Sequence, residues 1–152
     1  AQALQLAYHS IRAKDKTFNL TIETDYDKSI EELDVAFSDL SRALINIIDN
    51  ACYASHIKQF KITADFNPTV SITTKNLGTT IEIRIRDNGI GIPKENQQKI
   101  FLPFFTTKPP GQGTGLGLSI THDIIVGQHR GNLEVQTETG NYTEFIITLP
   151  KS

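Results

Sequence analysis

The chain has 152 residues, the usual size of one compact domain that buries its own hydrophobic core. Its 15 basic and 17 acidic side chains give a net charge of −2, which excludes a broad positive surface for nucleic acid or anionic lipid. The single cysteine, Cys52, excludes a disulfide framework, and no apolar run approaches the roughly 18 residues of a membrane span, so we expect a cytoplasmic domain without direct membrane contact.

The first residues have the pattern of a helix that continues from upstream. Their apolar positions recur at helical spacing, at Leu4, Ala7, Tyr8 and Ile11. We therefore expect residues 1–16 to be the end of an upstream helix or a linker, and residues 17–152 to form the domain. Alternation of Phe18, Leu20 and Ile22 with polar residues predicts the first strand within residues 18–27, and residues 33–37 are a candidate for a short second strand.

The most regular helical pattern runs from Ser38, a candidate N-cap, to Ser55. Its apolar residues form one stripe along the predicted helix, namely Leu40, Ala43, Leu44, Ile47, Ile48 and Ala51. Residues 57–68 show no clear period, so a connection with helical or extended parts is expected there.

Two hairpins and two further helices follow. Alternation on both sides of an Asn-Leu-Gly turn predicts a hairpin over residues 69–86, and a second hairpin is expected over residues 132–150. Between them we expect a short helix from Glu95 to Ile100 and a longer one over residues 115–131. These elements predict an α+β two-layer sandwich, in which a mixed, mostly antiparallel sheet of about five strands is covered on one face by about three helices.

Two polar groups are candidates for a ligand site. Asn46 and Asn50 are four residues apart, so both amides lie on one helical face, where they can bind Mg²⁺ or donate to phosphate. Asp87 ends a predicted strand just before two glycines, and its carboxylate can accept a hydrogen bond from the amino group of adenine. Taken singly, solvated asparagines and an Asp-Asn-Gly turn are common.

A glycine run precedes the last long helix, with glycine at every second position from 111 to 117. Backbone N–H groups that lead into a helix N-terminus can bind phosphate, although such a run can also be a flexible linker. Neither a P-loop nor a dinucleotide-binding motif is present. Together with Asp87 and the asparagines, the run supplies partners for the base, the phosphates and the metal of one Mg-ATP.

Four motifs resemble, in order and spacing, the boxes of the GHKL (Bergerat) ATPases, and among these the catalytic ATP-binding domain of two-component sensor histidine kinases. "NIIDNA" from Asn46 is similar to the N box, and "DNGIG" from Asp87 to the first glycine box. "FLPFFTTK" from Phe101 is similar to the F box, and "GTGLGL" from Gly113 to the second glycine box. The resemblance covers about residues 17–150, and it implies a lid from about Phe101 to Gly115 that is poorly ordered without nucleotide.

The resemblance also implies roles for individual residues. Asn50 would be the Mg²⁺ ligand, Asn46 a phosphate or metal partner, and Asp87 the residue that recognises adenine. Tyr53 stands where many family members carry lysine or arginine, so one phosphate contact would be lost or replaced by a hydroxyl.

Further nucleotide contacts are implied in the same way. Ile92 and Leu118 would line the adenine pocket or its rim, Lys108 would reach the terminal phosphate, and Thr143 would reach adenine through water. The remaining expected nucleotide contacts are Gly89, Gly91, Gly113, Thr114, Gly115, Leu116 and Gly117.

The activity implied by the resemblance is that of a protein-histidine kinase. Such an enzyme would pass the γ-phosphoryl group of Mg-ATP to a histidine on a dimerisation and phosphoacceptor helical domain, and then to the receiver domain of a response regulator. No histidine of this chain matches the acceptor motif, whether His9, His56, His122 or His129. The acceptor is therefore expected on an upstream domain, and no catalytic residue is assigned within this chain, which alone would bind ATP with little turnover. The alternatives are a stand-alone serine kinase of the anti-sigma type and an ATP-gated dimerising module of the mismatch-repair, topoisomerase and chaperone kind.

Overall fold

The computed structural model describes residues 21–30, 37–61, 68–102 and 117–150. The strands in these ranges are β1 (Thr21–Asp25), β2 (Thr69–Asn76), β3 (Thr80–Asp87), β4 (Asn132–Glu138) and β5 (Tyr142–Pro150). The helices are α1 (Phe37–Lys61), α2 (Lys94–Gln97) and α3 (Gly117–His122), and α3 continues as a π-helix over Asp123–Gln128.

The described strands form one mixed sheet in the order β1-β2-β3-β5-β4. β1 runs parallel to β2, and every other neighbouring pair is antiparallel. Alternation decides which face of the sheet is buried, since Ile81, Ile83 and Ile85 of β3 point into the core while Arg84 and Arg86 lie on the other face. The expected α+β sandwich with a mostly antiparallel sheet is confirmed.

The core lies between the sheet and α1. All six residues of the predicted apolar stripe of this helix are buried, and they pack with the inward residues of β2, β3 and β5. Each fully buried leucine or isoleucine contributes about 1.5–3 kcal/mol to the free energy of folding relative to an exposed one, so this layer fixes the position of α1 on the sheet. No helix in the described ranges is both long and apolar enough to cross a membrane.

α1 extends beyond the predicted helix in both directions. It begins at Phe37, so Ser38 is the second residue of the helix and its assignment as the N-cap is wrong; helix ends commonly differ by one or two residues from a sequence-based boundary. It continues to Lys61, so residues 57–61 are helical. Of the expected short strand over 33–37, only Phe37 lies within the described residues, and it is helical.

The remaining elements follow the predictions with two differences. α2 ends at Gln97 rather than at Ile100, and residues 98–102 continue as turns. The expected longer helix changes its period after His122, where the His129 N–H donates to the Ile124 carbonyl five residues earlier. Both hairpins are confirmed, and Gly78, with φ +95°, forms the first turn.

Candidate functional site

One ridge of α1 connects the two ends of the candidate site. The ridge consists of residues four positions apart, namely Asn46, Asn50, Ala54 and Lys58. Asn46 Nδ2 donates to the carbonyl oxygen of Gly117 and to Oγ1 of Thr121, both at 3.3 Å, so the ridge is tied to the first turn of α3. Asn50 is half-buried one turn further along.

Asp87 lies at the C-terminal end of β3, where its side chain is only 3% exposed. Its Oδ1 accepts a hydrogen bond from the Gly89 N–H at 2.8 Å, whereas within the described ranges no residue donates to Oδ2. Burial raises the pKa of Asp87 to about 7, against the opposing effects of the Gly89 N–H and of the positive charges of Lys58 and Arg86. The carboxyl group therefore changes charge near neutral pH and keeps an acceptor for a ligand.

The residues after Asp87, positions 88–92, form a loop that we call the first glycine loop, and it fits between α1 and the β4–β5 turn. A Cβ atom on Gly89 would lie 2.6 Å from the carbonyl carbon of Ala54, and one on Gly91 would lie 2.5 Å from the carbonyl oxygen of Glu138. Gly91 also has φ +73°, which side chains rarely adopt. Glycine is therefore needed at both positions for this close approach of backbones.

A pair of threonines holds the far end of this loop. Thr137 Oγ1 accepts from the Ile92 N–H at 2.9 Å and lies 2.8 Å from the Tyr142 carbonyl oxygen, to which it donates. Because that donation uses its only proton, the 2.9 Å contact with Thr143 Oγ1 is donated by Thr143. Thr143 is buried directly across the sheet from Asp87, and its oxygen lone pairs remain as acceptors.

Three groups were predicted to bind one ligand: the asparagines of α1, Asp87 with the first glycine loop, and the glycine run before α3. The structure brings together the first two groups and the last glycine of the third. Asn46 contacts Gly117, the last glycine of the second glycine box, and Ala54 contacts Gly89 of the first. Asn50 lies between these contacts on a helical segment about 12 Å long. Tyr53, Ile92 and Leu118 are half-buried, and the last two pack against the core. Outside the described residues lie Lys108, Gly113, Thr114, Gly115 and Leu116.

Sequence reasoning missed two residues of this region, Thr137 and Lys58. Thr137 was detectable in principle, because the register of the predicted β4–β5 hairpin places it opposite Thr143. Lys58 was not, since it lies beyond the predicted end of α1.

The donor set suits Mg²⁺ bound together with phosphate oxygens. Among the residues that the structure describes, no three His, Cys, Asp or Glu side chains cluster as a metal site. Mg²⁺ usually takes one or two protein oxygens and completes its shell with substrate phosphates and water. The amide oxygen of Asn50, one helical turn along α1 from the residue that contacts Gly117, is compatible with that coordination.

Comparison with known proteins identifies the family. The sequence pattern of the histidine kinase-, DNA gyrase B-, and HSP90-like ATPases matches residues 36–152. The chain belongs to this family. Its sensor histidine kinase branch is indicated by the sensory histidine kinase/phosphatase NtrB of Vibrio alginolyticus, which is 36% identical over 135 residues, or 87% of this chain and 37% of that protein.

Other relatives agree. The sensor histidine kinase ZraS of Escherichia coli K12 is 35% identical over 111 residues, or 73% of this chain and 21% of that protein. The nucleotide-free catalytic domain of the histidine kinase ThkA superposes with a TM-score of 0.81 at 28% identity, covering 99% of this chain and 92% of that one. The chain thus has the fold of a histidine-kinase catalytic ATP-binding domain, and it spans between 21% and 37% of the length of these two curated relatives.

Proposed function

We propose that this chain binds Mg-ATP between α1 and the two glycine boxes and acts as the catalytic domain of a sensor histidine kinase. The observation that carries the proposal is the α1 ridge, on which Asn46 is joined to Gly117 and Ala54 to Gly89, with Asn50 between them. A single ligand that runs along this ridge meets a buried carboxylate at one end and two amides at the other.

At the base end, Asp87 accepts a hydrogen bond from the exocyclic amino group of adenine, and Thr143 reaches the base through water. Ile92 and Leu118 line the pocket around the ring. Gly89 and Gly91 let the nucleotide approach the backbone. Two acceptors support these roles: Oδ2 of Asp87, to which no residue in the described ranges donates, and the lone pairs of Thr143 Oγ1.

At the phosphate end, Asn50 holds Mg²⁺, and Asn46 and Tyr53 contact the phosphates or the metal. The metal supplies charge neutralisation for the phosphates. In this proposal Lys108 reaches the terminal phosphate, and the phosphates are bound by the backbone of the second glycine box, Gly113, Thr114, Gly115, Leu116 and Gly117. Positioning and charge stabilisation are the main contributions a protein makes to phosphoryl transfer.

The acceptor histidine is proposed to lie on a dimerisation and phosphoacceptor helical domain of the same protein, with residues 1–16 as the connection and residues 17–152 as the domain. The two histidines whose side chains are described support this, because His122 packs its ring 5.4 Å from that of Phe101 and His129 Nδ1 contacts the Ile124 carbonyl oxygen at 2.8 Å. Both have structural contacts within this domain.

A response-regulator receiver domain is the proposed final phosphoryl acceptor. The histidine kinase ThkA was crystallised in complex with the response regulator protein TrrA, and it is 26% identical to this chain with a TM-score of 0.77. The net charge of −2 supports the absence of a nucleic-acid partner. We place the domain in the cytoplasm without direct membrane contact, where ATP and response regulators are available.

Calorimetry with Mg-ATP and Mg-GTP tests the ligand. Guanine presents a carbonyl oxygen where adenine presents its amino group, and a carboxylate repels that oxygen. We expect binding of Mg-ATP and at least tenfold weaker binding of Mg-GTP, whereas equal affinities would contradict the role of Asp87.

Phosphotransfer tests the activity. The chain is incubated with γ-labelled ATP and a phosphoacceptor helical domain that carries or lacks its histidine. Acid-labile label on the histidine-bearing protein alone is expected. Acid-stable label on a serine would identify the anti-sigma type of kinase, and dimerisation driven by a non-hydrolysable ATP analogue in light scattering would identify the gated module.

A further inference from the structure

Lys58 lies one turn beyond Ala54 on the α1 ridge and reaches two loops at once. Its Nζ donates to the carbonyl oxygen of Asn88 at 3.1 Å and to that of Gly140 at 2.8 Å. Asn88 begins the first glycine loop, and Gly140 lies in the β4–β5 turn. These loops also contact each other, because the Gly140 N–H donates to the Ile90 carbonyl oxygen at 2.7 Å. Lys58 therefore adds α1 to the junction of the two loops.

The first glycine loop is held from the opposite side as well. Asn88 Oδ1 accepts from the Thr69 N–H at 2.8 Å, and the Asn88 N–H donates to the Thr69 carbonyl oxygen at 3.2 Å. β2 thus fixes the side chain and the N–H of Asn88, while the ammonium group of Lys58 fixes its carbonyl oxygen. Hydrogen bonds from a charged donor are stronger than neutral ones, so the lysine is a substantial part of this clamp.

Lys58 also acts on Asp87 through its charge. Among the described residues, Lys58 from α1 and Arg86 from β3 are the charged groups that lower the pKa of Asp87 against the effect of burial. The residues paired with Asp87 on the adjacent strands, Val70 on β2 and Thr143 on β5, are uncharged. A positive charge near a buried carboxyl group favours the ionised form, which is the better acceptor for an amino group.

We propose that Lys58 is a positioning residue of the nucleotide site, which holds the first glycine loop against α1 and provides a positive charge near Asp87, the residue proposed to recognise the adenine amino group. This inference rests on the proposed ATP site. It assigns a role in that site to the last turns of α1, beyond the asparagines of the N box.

The test compares the affinity for Mg-ADP at pH 6.5 and pH 8.5 by calorimetry in wild type, Lys58→Gln, Lys58→Arg and the control Lys75→Gln. Lys58→Gln removes the charge but keeps a donor, Lys58→Arg keeps the charge, and Lys75 is an exposed lysine on β2. Because one nucleotide is used throughout, its own titration cancels in each ratio of variant to wild type. Thermal denaturation at both pH values confirms that each variant is folded.

We expect Lys58→Gln to bind Mg-ADP about two- to threefold more weakly than wild type at pH 8.5, where Asp87 is ionised in both proteins and only the clamp on the loop is weakened. At pH 6.5 the difference should grow to about five- to tenfold, because the positive charge near Asp87 is lost as well. Lys58→Arg and Lys75→Gln should follow wild type at both pH values. A Lys58→Gln ratio that is the same at both pH values, whether equal to one or not, would overturn the inference while leaving the ATP site intact. Failure of wild type to bind Mg-ADP would instead refute the proposed function, and the inference with it.

Discussion

Replacing Gly89 with alanine tests whether the first glycine loop must touch α1. The added Cβ would lie 2.6 Å from the carbonyl carbon, 2.7 Å from the carbonyl oxygen and 2.8 Å from the Cβ of Ala54. Two of these atoms belong to the backbone of a helix that is packed on the core, so no rotation of a side chain relieves the contact. The loop must move away from α1, and this movement also disturbs the hydrogen bond that the Gly89 N–H donates to Asp87.

Overpacking of this kind costs about 1–3 kcal/mol, which lowers the melting temperature of a domain of this size by roughly 2–4 °C for each kcal/mol. The free energy of unfolding and the affinity for Mg-ATP should both fall, and the two are measured by urea denaturation and calorimetry. The matched control is Gly127→Ala in the π-helix, where a Cβ meets nothing within 4 Å and stability should be unchanged or slightly higher. A Gly89→Ala protein with the stability and affinity of wild type would refute the proposed contact.

Three further substitutions have defined outcomes. Asp87→Asn should weaken Mg-ATP binding about ten- to a hundredfold, because a charged hydrogen bond to adenine is lost. Folding raises the pKa of Asp87 from 3.8 to about 7, so the folded state holds a proton that the unfolded state releases, and wild-type stability should fall as pH rises through this window. In urea denaturation between pH 4 and pH 8, the free energy of unfolding of wild type should fall by on the order of 3 to 4 kcal/mol, and Asp87→Asn should remove this decline. The same decline in both proteins would show that Asp87 is not its source. Asn50→Ala should bind ATP equally well with Mg²⁺ and with EDTA, and a persistent Mg²⁺ dependence would exclude Asn50 as the ligand. Asn46→Ala loses its contacts with Gly117 and Thr121 and should weaken ATP binding severalfold in calorimetry, so unchanged affinity would place the phosphates elsewhere.

Local patterns predicted most of the fold because each element has a period that one buried face imposes. The apolar stripe of α1 and the alternation in β3 follow directly from burial against one another. Pairing between distant strands is different, since the parallel contact of β1 with β2 and the position of β5 between β3 and β4 have no local signal. The resemblance to a family implied only that the sheet is mixed, and neither pairing was predicted from the sequence.

The end of α1 shows why part of the site was missed. Beyond Ser55 the apolar stripe no longer determines the helix, so sequence periodicity stopped there while the helix continues to Lys61. In the structure, Lys58 of these last turns bonds to carbonyl groups 30 and 82 positions away in the chain. Because the helix continues past Ser55, Lys58 lies on the same α1 ridge as Asn46 and Asn50, in which the residues are four positions apart. This continuation places Lys58 near the site.

The π-helix after α3 had no sequence signal either. In this segment Ile124 and Ile125 pack into the core, while Gly127 and Gln128 stay exposed. The Gln128 side chain donates to Asp39 on α1 at 2.9 Å, so tertiary contacts accompany the change of period. Intrinsic propensity alone predicts an ordinary helix in this segment.

The most direct test of the account is a crystal structure of this chain with Mg²⁺ and a non-hydrolysable ATP analogue. We predict that the exocyclic nitrogen of adenine lies within about 3.2 Å of a carboxylate oxygen of Asp87, and that Asn50 Oδ1 lies about 2.1 Å from the metal. A nucleotide bound away from the α1 ridge, or one with its base at Asn46 and its phosphates at Asp87, would contradict the assignment of the site.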